Sequence, residues 1–194
     1  MTLSSHFRPL RSQHVFPTVS LAIAGATRRS PQTFRILHFS VQHDHVHLLV
    51  EASDQRALSA GVRSIAIRIA RSVDRLVLRR GRLWADRWHG RALTSPRQVR
   101  NALVYVLANF RKHAPARMPP GIDAFSSAVH WPASAAMGEL PRAGPPYHGS
   151  MKRWIDVSPP HTWLGRTGWR RAGRLRFDEA PRASYSRCAR RAEA

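Results

Sequence analysis

Two histidines, His45 and His47, stand two residues apart in the apolar stretch 45–51. On a β-strand, side chains at positions i and i+2 point to the same face. Two neighbouring imidazoles supply a half-site for a divalent metal ion. The spacing therefore predicts a metal half-site, and the alternative is a pair of histidines on a half-exposed strand that binds nothing.

A tyrosine and an asparagine stand four residues apart in the stretch 96–113, which the apolar periodicity predicts to be a helix. Tyr105 and Asn109 would share one face of that helix, to the side of its apolar stripe. Asn101 and Lys112 lie on the same flank, so this face is polar. Tyr105 is therefore a candidate for chemistry, and the alternative is a boundary tyrosine with a solvated hydroxyl. The stripe predicted to be buried is Val99, Ala102, Leu103, Val106 and Phe110.

Between these two motifs, the stretch 82–91 interleaves aromatic and cationic residues. Unpaired bases stack on aromatic and guanidinium planes while arginines neutralise phosphates, so this composition suits single-stranded nucleic acid. The alternative is an ordinary loop whose two tryptophans anchor it on the core. The residues concerned are Arg82, Trp84, Arg87, Trp88, His89 and Arg91.

The elements that must position these residues begin with a helix and a hairpin. Residues 16–27 are predicted to form a short helix with Pro17 in its first turn. Residues 34–42 and 45–51 are rich in β-branched and aromatic side chains and predict two strands. His43 and Asp44 form a plausible two-residue turn, because aspartate tolerates turn geometry.

Two longer helices follow the hairpin. The first is predicted over 55–80, with Asp54 as its N-cap and Gly81 at its C-terminal cap. Its arginines, among them Arg63, Arg71 and Arg75, fall outside its apolar face. A weak strand is predicted over 88–93. The second helix is predicted over 96–113, and Ser95, Pro96 and Gln98 supply its capping box.

The order of these elements predicts an α+β protein with a ferredoxin-like βαββαβ core, an antiparallel sheet with helices on one face. The helix 96–113 would be an added C-terminal helix. The first strand is expected to be largely missing, because only residues 1–3 precede the polar N-terminal segment; Phe7–Leu10 is the alternative source. Residues 1–114 are predicted to form the folded domain that carries these candidate residues, and 115–194 an irregular basic extension rich in proline, tryptophan and arginine.

Composition narrows the class of partner. The chain of 194 residues carries 32 lysines and arginines against 11 acidic residues, a formal charge of +21. This surplus points to a polyanion, and the predominance of arginine favours forked contacts to phosphate. The single cysteine excludes an internal disulfide framework. The longest apolar run of the chain, residues 19–26, is too short to span a bilayer. We expect a cytoplasmic, nucleoid-associated protein that binds no membrane.

Three segments in order resemble the single-tyrosine HUH transposases of the insertion-sequence type, and especially the REP-associated tyrosine transposases. They are FRILHFSVQHDHVHLLVEA, GRLWADRWHGRAL and VRNALVYVLANFRKH. The tail PPHTWLGRTGWRRAGRLRFDEAP is similar to a C-terminal extension found in a subset of that family. The resemblance covers roughly residues 16–181.

The resemblance implies roles for individual residues. His45 and His47 would bind a divalent metal, Mg²⁺ or Mn²⁺, with Asn109 as third ligand, and Tyr105 would be the nucleophile. The implied reaction cleaves and rejoins single-stranded DNA through a 5′-phosphotyrosine, and the implied substrates are single strands or hairpins of inverted-repeat elements. Relatives include monomers and homodimers. Asp44 stands where the family commonly has asparagine. The residues expected to contact DNA are Arg63, Arg71, Arg75, Arg82, Trp84, Arg87, Trp88, His89, Arg111 and Lys112.

Three alternative functions remain open at this point. A catalytically inactive or domesticated remnant would bind single-stranded or hairpin DNA without reacting with it. An RNA-binding module would prefer RNA of equal sequence, although the strands lack the aromatic run of an RNP motif. A metal-dependent hydrolase would use water in place of Tyr105.

Overall fold

The computed structural model describes residues 1–7, 9–29, 32–113, 123–130, 157–176 and 179–181. It is an α+β structure built on a three-stranded antiparallel sheet, which agrees with the predicted ferredoxin-like core. Its strands are β1 (Thr2–Ser4), β2 (Phe34–Val41) and β3 (His45–Ala52). The helices are α1 (Phe16–Thr27), α2 (Gln55–Leu76), α3 (Pro96–Leu107), α4 (Phe110–His113) and α5 (Trp163–Arg166), and two short 3-10 helices cover Ser127–His130 and Gly168–Ala172.

Strand β3 lies between the other two strands, in the order β1-β3-β2. Strands β2 and β3 form the predicted hairpin: Val41 pairs with Val46, and the Gln42 N–H donates to the His45 carbonyl over 2.8 Å. His43 and Asp44 therefore form the turn. A bulge between Ile36 and His38 shifts the register of β2.

The first strand is short, as expected, and it lies beside β3 at one edge of the three-stranded sheet. Thr2 pairs with His47 and Ser4 with His45 on one side of β1. On its other side, bridges join Thr2 to His89 and Ser5 to Trp84. The predicted strand over 88–93 is therefore wrong: these residues form no ladder, and the pairing is by isolated bridges from the segment 83–89. The alternative that Phe7–Leu10 replaces the first strand is also wrong, because β1 is formed by Thr2–Ser4.

Helices α1 and α2 cover one face of the sheet and enclose the larger core. Apolar side chains from both helices pack on alternate residues of β2 and β3, including Phe39, Val46 and Leu48. Gly61 allows α2 to approach the sheet closely, because a Cβ at this position would lie 2.3 Å from a ring carbon of Phe34.

The predicted N-cap of α2 is confirmed, but its predicted C-terminus is wrong. The Asp54 carboxylate accepts from the Ala57 N–H over 2.7 Å, and this bond, with the Ser53 hydroxyl, holds the pKa of Asp54 below its usual value. The helix ends at Leu76 rather than 80. Leu78 takes the left-handed conformation at φ 51° and leaves the helix before Gly81 can cap it.

Helix α3 covers the opposite face of the sheet. Four residues of its predicted stripe are buried and pack with Leu37 and Leu49: Val99, Ala102, Leu103 and Val106. The fifth, Phe110, is buried but belongs to α4. Ser95 caps α3 by accepting from the Gln98 N–H. The predicted continuous helix to His113 is wrong. The helix ends at Leu107, and α4 begins at Phe110 after a break at Ala108 and Asn109.

Parts of the predicted extension pack on this core. Segment 123–130 pairs with the edge of β2, where the Val41 N–H donates to the Phe125 carbonyl, and the buried Asp123 forms an ion pair with Arg11 at 2.6 Å. Segment 157–176 lies against α3 and buries Trp169 and Leu175. None of the helices in the described residues combines the length and the hydropathy that a membrane span requires.

Candidate functional site

Strand β3 presents both histidines on the face that α3 covers. The side chains of Val46 and Leu48 enter the core under α1 and α2, so the alternate residues His45, His47 and Leu49 point the other way. His47 is 3% exposed. The Nε2 atoms of the two histidines lie 3.0 Å apart, and their ring centroids are separated by 4.5 Å.

Each imidazole is held from behind through its Nδ1 atom. Asp44 Oδ1 lies 2.7 Å from His45 Nδ1, and Thr2 Oγ1 lies 3.0 Å from His47 Nδ1. A carboxylate only accepts hydrogen bonds, so the Asp44 contact places the proton on His45 Nδ1 and leaves a lone pair on its Nε2. The Thr2 hydroxyl can accept the Nδ1 proton of His47 in the same way. The two Nε2 atoms lie within hydrogen-bond distance of each other, so in this structure one of them donates to the other. With both protons on the Nδ1 atoms instead, both Nε2 atoms could ligate one cation.

Tyr105 lies beside this pair in the same chain. Its ring centroid is 4.8 Å from that of His47, with an interplanar angle of 67°, and the residue is half-buried. Helix α3 positions Tyr105, because the buried stripe of α3 fixes the rotation of the helix against β2 and β3. The structure thus brings together one phenol and two imidazoles from elements far apart in sequence.

Asn109 lies in the break between α3 and α4, two residues past the end of α3. It is fully buried, and within the described residues neither its Oδ1 nor its Nδ2 has a hydrogen-bond partner. A buried amide left without partners costs about 1–3 kcal/mol per group. The amide makes no hydrogen bond to either histidine, so the structure does not join Asn109 to the cluster in this way. Its unsatisfied oxygen is available to a cation.

The donor set fits a divalent metal ion. Two ligand atoms at about 2.1 Å from an ion and 90° apart are separated by about 3 Å, and the two Nε2 atoms are 3.0 Å apart. Backing of ligating imidazoles by a carboxylate or another acceptor is the usual outer arrangement of metal sites. Among the described residues, no group of three histidines, cysteines, aspartates or glutamates gathers to hold a metal, and the candidate ligand of another type among them is the Asn109 amide.

Two further titratable groups lie on or near this part of the sheet. The Met1 amine donates to the Leu48 carbonyl over 3.0 Å, and burial lowers its pKa to about 6. His38 on β2 contacts the Ser127 hydroxyl at 3.1 Å, and burial lowers the pKa of this imidazole to about 4. His38 is therefore neutral at physiological pH.

The arginines predicted to contact DNA on α2 lie away from the histidines. They border an open groove of about 870 Å³ between α1 and α2, on the opposite side of the sheet. Within the described residues no acidic side chain lines this groove. Its arginines are Arg29, Arg56, Arg63, Arg68, Arg71 and Arg75.

The other residues predicted to contact DNA are distributed differently. Trp84 and Trp88 pack against the larger core, and the Trp84 indole N–H donates to the Ala66 carbonyl over 2.8 Å. Arg82, Arg87 and His89 are exposed on the same segment. Arg111 is half-buried beside the Phe110 ring, at 5.3 Å from its centroid. Lys112 lies in α4, and its side chain is outside the described residues.

The comparisons with known proteins bear on the segment that holds the histidines and the tyrosine. Residues 23–106 match the family model of IS200-like transposases. The matched range supports the transposase family and runs from Ile23 in α1, through the β2–β3 hairpin and α2, to Val106 in α3. Asn109 and the segments 123–130 and 157–176 lie outside the IS200-like match. No curated protein and no solved structure matches the chain.

Two contributors to the candidate site are not predicted from the sequence. Thr2 contacts His47 only because β1 pairs with β3 across 45 residues, and nothing local signals that pairing. The sequence predicts a turn role for Asp44, and its position directly before the first histidine is the signal for its second role, the contact with His45 Nδ1. The contact of Glu51 with segment 161–162 was also missed, because the extension lacks periodicity.

Proposed function

We propose that this protein is a transposase-like DNA strand transferase, of the REP-associated type, that cleaves and rejoins single-stranded or hairpin DNA. The observation that carries the proposal is the meeting of Tyr105 with His45 and His47 in one chain, inside the segment that matches IS200-like transposases. The reacting groups come from one chain, so the proposed site needs no second subunit to supply them.

In the proposed reaction, the Tyr105 hydroxyl attacks the scissile phosphorus. The new bond joins Tyr105 Oη to phosphorus, and the bond from phosphorus to the 3′ oxygen of the preceding nucleotide breaks. The phenol loses a proton and the departing 3′ oxygen gains one, so the products are a 5′-phosphotyrosine and a free 3′ hydroxyl. Attack by another 3′ hydroxyl reverses these steps and rejoins the strand without a nucleotide cofactor.

His45, His47 and Asn109 would hold a divalent metal, Mg²⁺ or Mn²⁺. When bound, such an ion polarises the scissile phosphate and offsets the charge that develops on its oxygens. With Asp44 and Thr2 accepting the Nδ1 protons, both Nε2 atoms would be available as ligands of that ion, and contact with His47 positions the ring of Tyr105. A phenol has a pKa of about 10 and is a weak nucleophile at pH 7, so its position beside a cation site is what makes attack feasible.

The test is formation of a covalent protein–DNA adduct. The protein is incubated with a foldback DNA substrate and Mn²⁺, and the adduct is resolved on a denaturing gel. We expect an adduct with the wild-type protein, none with Tyr105→Phe, and none with His47→Ala. Tyr105→Phe keeps the ring that packs on His47, so its fold is preserved and the loss reports on the hydroxyl alone.

Other outcomes identify the alternatives. Tight DNA binding and metal binding with no adduct on any hairpin indicate a binding remnant. Nicking that survives Tyr105→Phe but requires His45 and His47 indicates a hydrolase that uses water. Stronger binding to RNA than to DNA of equal sequence indicates readout of the 2′ hydroxyl, as expected for an RNA-binding module.

A further inference from the structure

The segment 161–176 is fixed to the half of the molecule that carries the candidate site. Glu51, on β3, accepts hydrogen bonds from the His161 N–H at 2.7 Å, the Thr162 N–H at 3.1 Å and the Thr162 hydroxyl at 2.6 Å. Trp169 and Leu175 are buried against α3. Arg100 of α3 donates to the Gly173 and Arg174 carbonyls. The segment is thus held at both ends.

Within this fixed segment, one large aromatic side chain remains exposed to solvent. Trp163 is 51% exposed, whereas Trp169 is 3% exposed. The backbone of Gly168 lies against the Trp163 ring, since a Cβ there would come within 2.7 Å of two carbons of its six-membered ring. The Arg171 guanidinium lies over the ring, 5.0 Å from its centroid. The indole therefore contacts the Gly168 backbone and the Arg171 guanidinium, while about half of the surface of the residue stays exposed.

The surroundings of Trp163 are cationic. Arg166, Arg170, Arg171 and Arg174 are all exposed. Two carboxylates in this region already have partners: Glu51 accepts the three hydrogen bonds above, and Glu179 forms an ion pair with Arg100 at 2.6 Å. A fixed aromatic plane among arginines suits a ligand that combines a flat ring with negative charge.

The position of this surface relates it to the candidate site. Glu51 lies four residues beyond His47 on β3 and on the same face of the sheet, a separation of about 13 Å at the usual rise of about 3.3 Å per residue. Helix α3, which carries Tyr105, also contacts α5 and the 3-10 helix Gly168–Ala172. One extended strand of DNA can therefore pass from Tyr105 towards Trp163 on one side of the molecule.

We propose that Trp163, with Arg166 and Arg171, forms a stacking subsite for one unpaired base of the DNA strand held at Tyr105. The inference rests on the proposed function for its substrate and names a contact point outside the residues that match the transposase family. Bases within a duplex are already stacked on their neighbours, so this subsite takes single-stranded DNA. Stacking on an indole tolerates any base, because every base has a π-face.

The test compares two ligands of equal length and charge: a 20-nucleotide oligodeoxythymidine and a 20-unit abasic strand. Binding is measured by fluorescence anisotropy in EDTA, where no cleavage competes. We expect Trp163→Ala to weaken oligodeoxythymidine binding by about 5- to 150-fold, the effect of removing one stacking partner, and to leave abasic binding unchanged. Trp163→Phe should retain most of the affinity. Leu78→Ala, which removes another exposed apolar side chain, should change neither.

An equal loss of affinity for both ligands, or no loss for either, would overturn the subsite. No loss for either ligand is the result expected if Trp163 instead contacts a protein partner. The adduct assay on Trp163→Ala at saturating DNA separates this inference from the proposed function. If the adduct forms but Trp163→Ala weakens the binding of both ligands equally, the subsite alone is overturned. If Trp163→Ala weakens only oligodeoxythymidine binding and the wild-type protein forms no adduct, strand transfer alone is overturned.

Discussion

At the scale of single residues, the candidate site depends on side chains that orient the proposed metal ligands. His45 and His47 supply the donors, but the direction of their lone pairs is set by Asp44 and Thr2 behind them. The pairing of β1 with β3 brings Thr2 to its place. A change at either backing residue should therefore alter metal binding while leaving the ligands themselves in the chain.

We expect Asp44→Ala to weaken Mn²⁺ binding by about 10- to 100-fold, the usual effect of removing an outer-shell partner of a ligating histidine. Asp44→Asn keeps an acceptor oxygen and should lose less. Isothermal titration calorimetry with Mn²⁺ measures both. Asp74→Ala removes the same charge from α2, on the other side of the sheet, and serves as the control. Equal affinity of Asp44→Ala and the natural chain would contradict the role given to Asp44.

A second residue-scale prediction concerns His38. Burial lowers its pKa from 6.5 to about 4, so between these values the unfolded chain binds more protons than the folded one. Stability from this group is complete above about pH 6.5 and is lost as the pH falls towards 4, by up to about 1.4 kcal/mol per pH unit. Urea unfolding across this range should show that slope, and His38→Gln should reduce it. An unchanged slope in the variant would count against the assignment.

At the scale of elements, local signals predicted where helices begin better than where they end. The capping residues Asp54 and Ser95 predict the N-termini of α2 and α3, because a cap hydrogen bond joins residues that are close in sequence. The end of α2 at Leu76 has no such signal, since Leu78 adopts a left-handed conformation that leucine seldom takes. The break at Ala108 and Asn109 is likewise unmarked in the sequence.

Packing of α2 on the sheet gives a sharp prediction at this scale. In Gly61→Ala the new Cβ would enter the buried Phe34 ring, and such overpacking costs about 1–3 kcal/mol, offset by about 0.5–1 kcal/mol of helix propensity. We expect a net loss of stability in thermal or urea unfolding. Gly25→Ala on α1 is the matched control, because its Cβ would meet only the mobile end of Arg68 at 3.3 Å, and it should be neutral or stabilising. Equal effects would refute this account of the packing.

At the scale of the whole molecule, the arginine-lined groove between α1 and α2 and the candidate site lie on different sides of the sheet. The sequence indicated a polyanion-binding protein and placed His45, His47 and Tyr105 on the elements that the structure confirms. It could not indicate that the arginines of α2 lie across the sheet from these residues, because that depends on how α1 and α2 pack together. Nor could it predict that the segment 157–176 folds onto α3, since those contacts join residues more than 70 positions apart.

The groove between α1 and α2 should contribute charge to DNA binding. We expect the triple change Arg63→Ala, Arg71→Ala and Arg75→Ala to weaken binding of a DNA hairpin and to reduce the slope of log K against log salt by about 0.9 per lost phosphate contact. A control triple of exposed arginines outside the groove, Arg28→Ala, Arg80→Ala and Arg97→Ala, should have a smaller effect. Salt titrations by anisotropy measure the slope, and equal slopes for both triples would contradict a specific role for the groove.

The most direct test of the strand-transfer account is to locate the covalent bond. The protein is reacted with a foldback DNA and Mn²⁺, digested with nuclease and protease, and the peptides are sequenced by mass spectrometry. The account predicts a nucleotide 5′-phosphate on Tyr105 and on no other tyrosine. DNA cleavage with Tyr105 unmodified, or with the phosphate attached to a different residue, would contradict it.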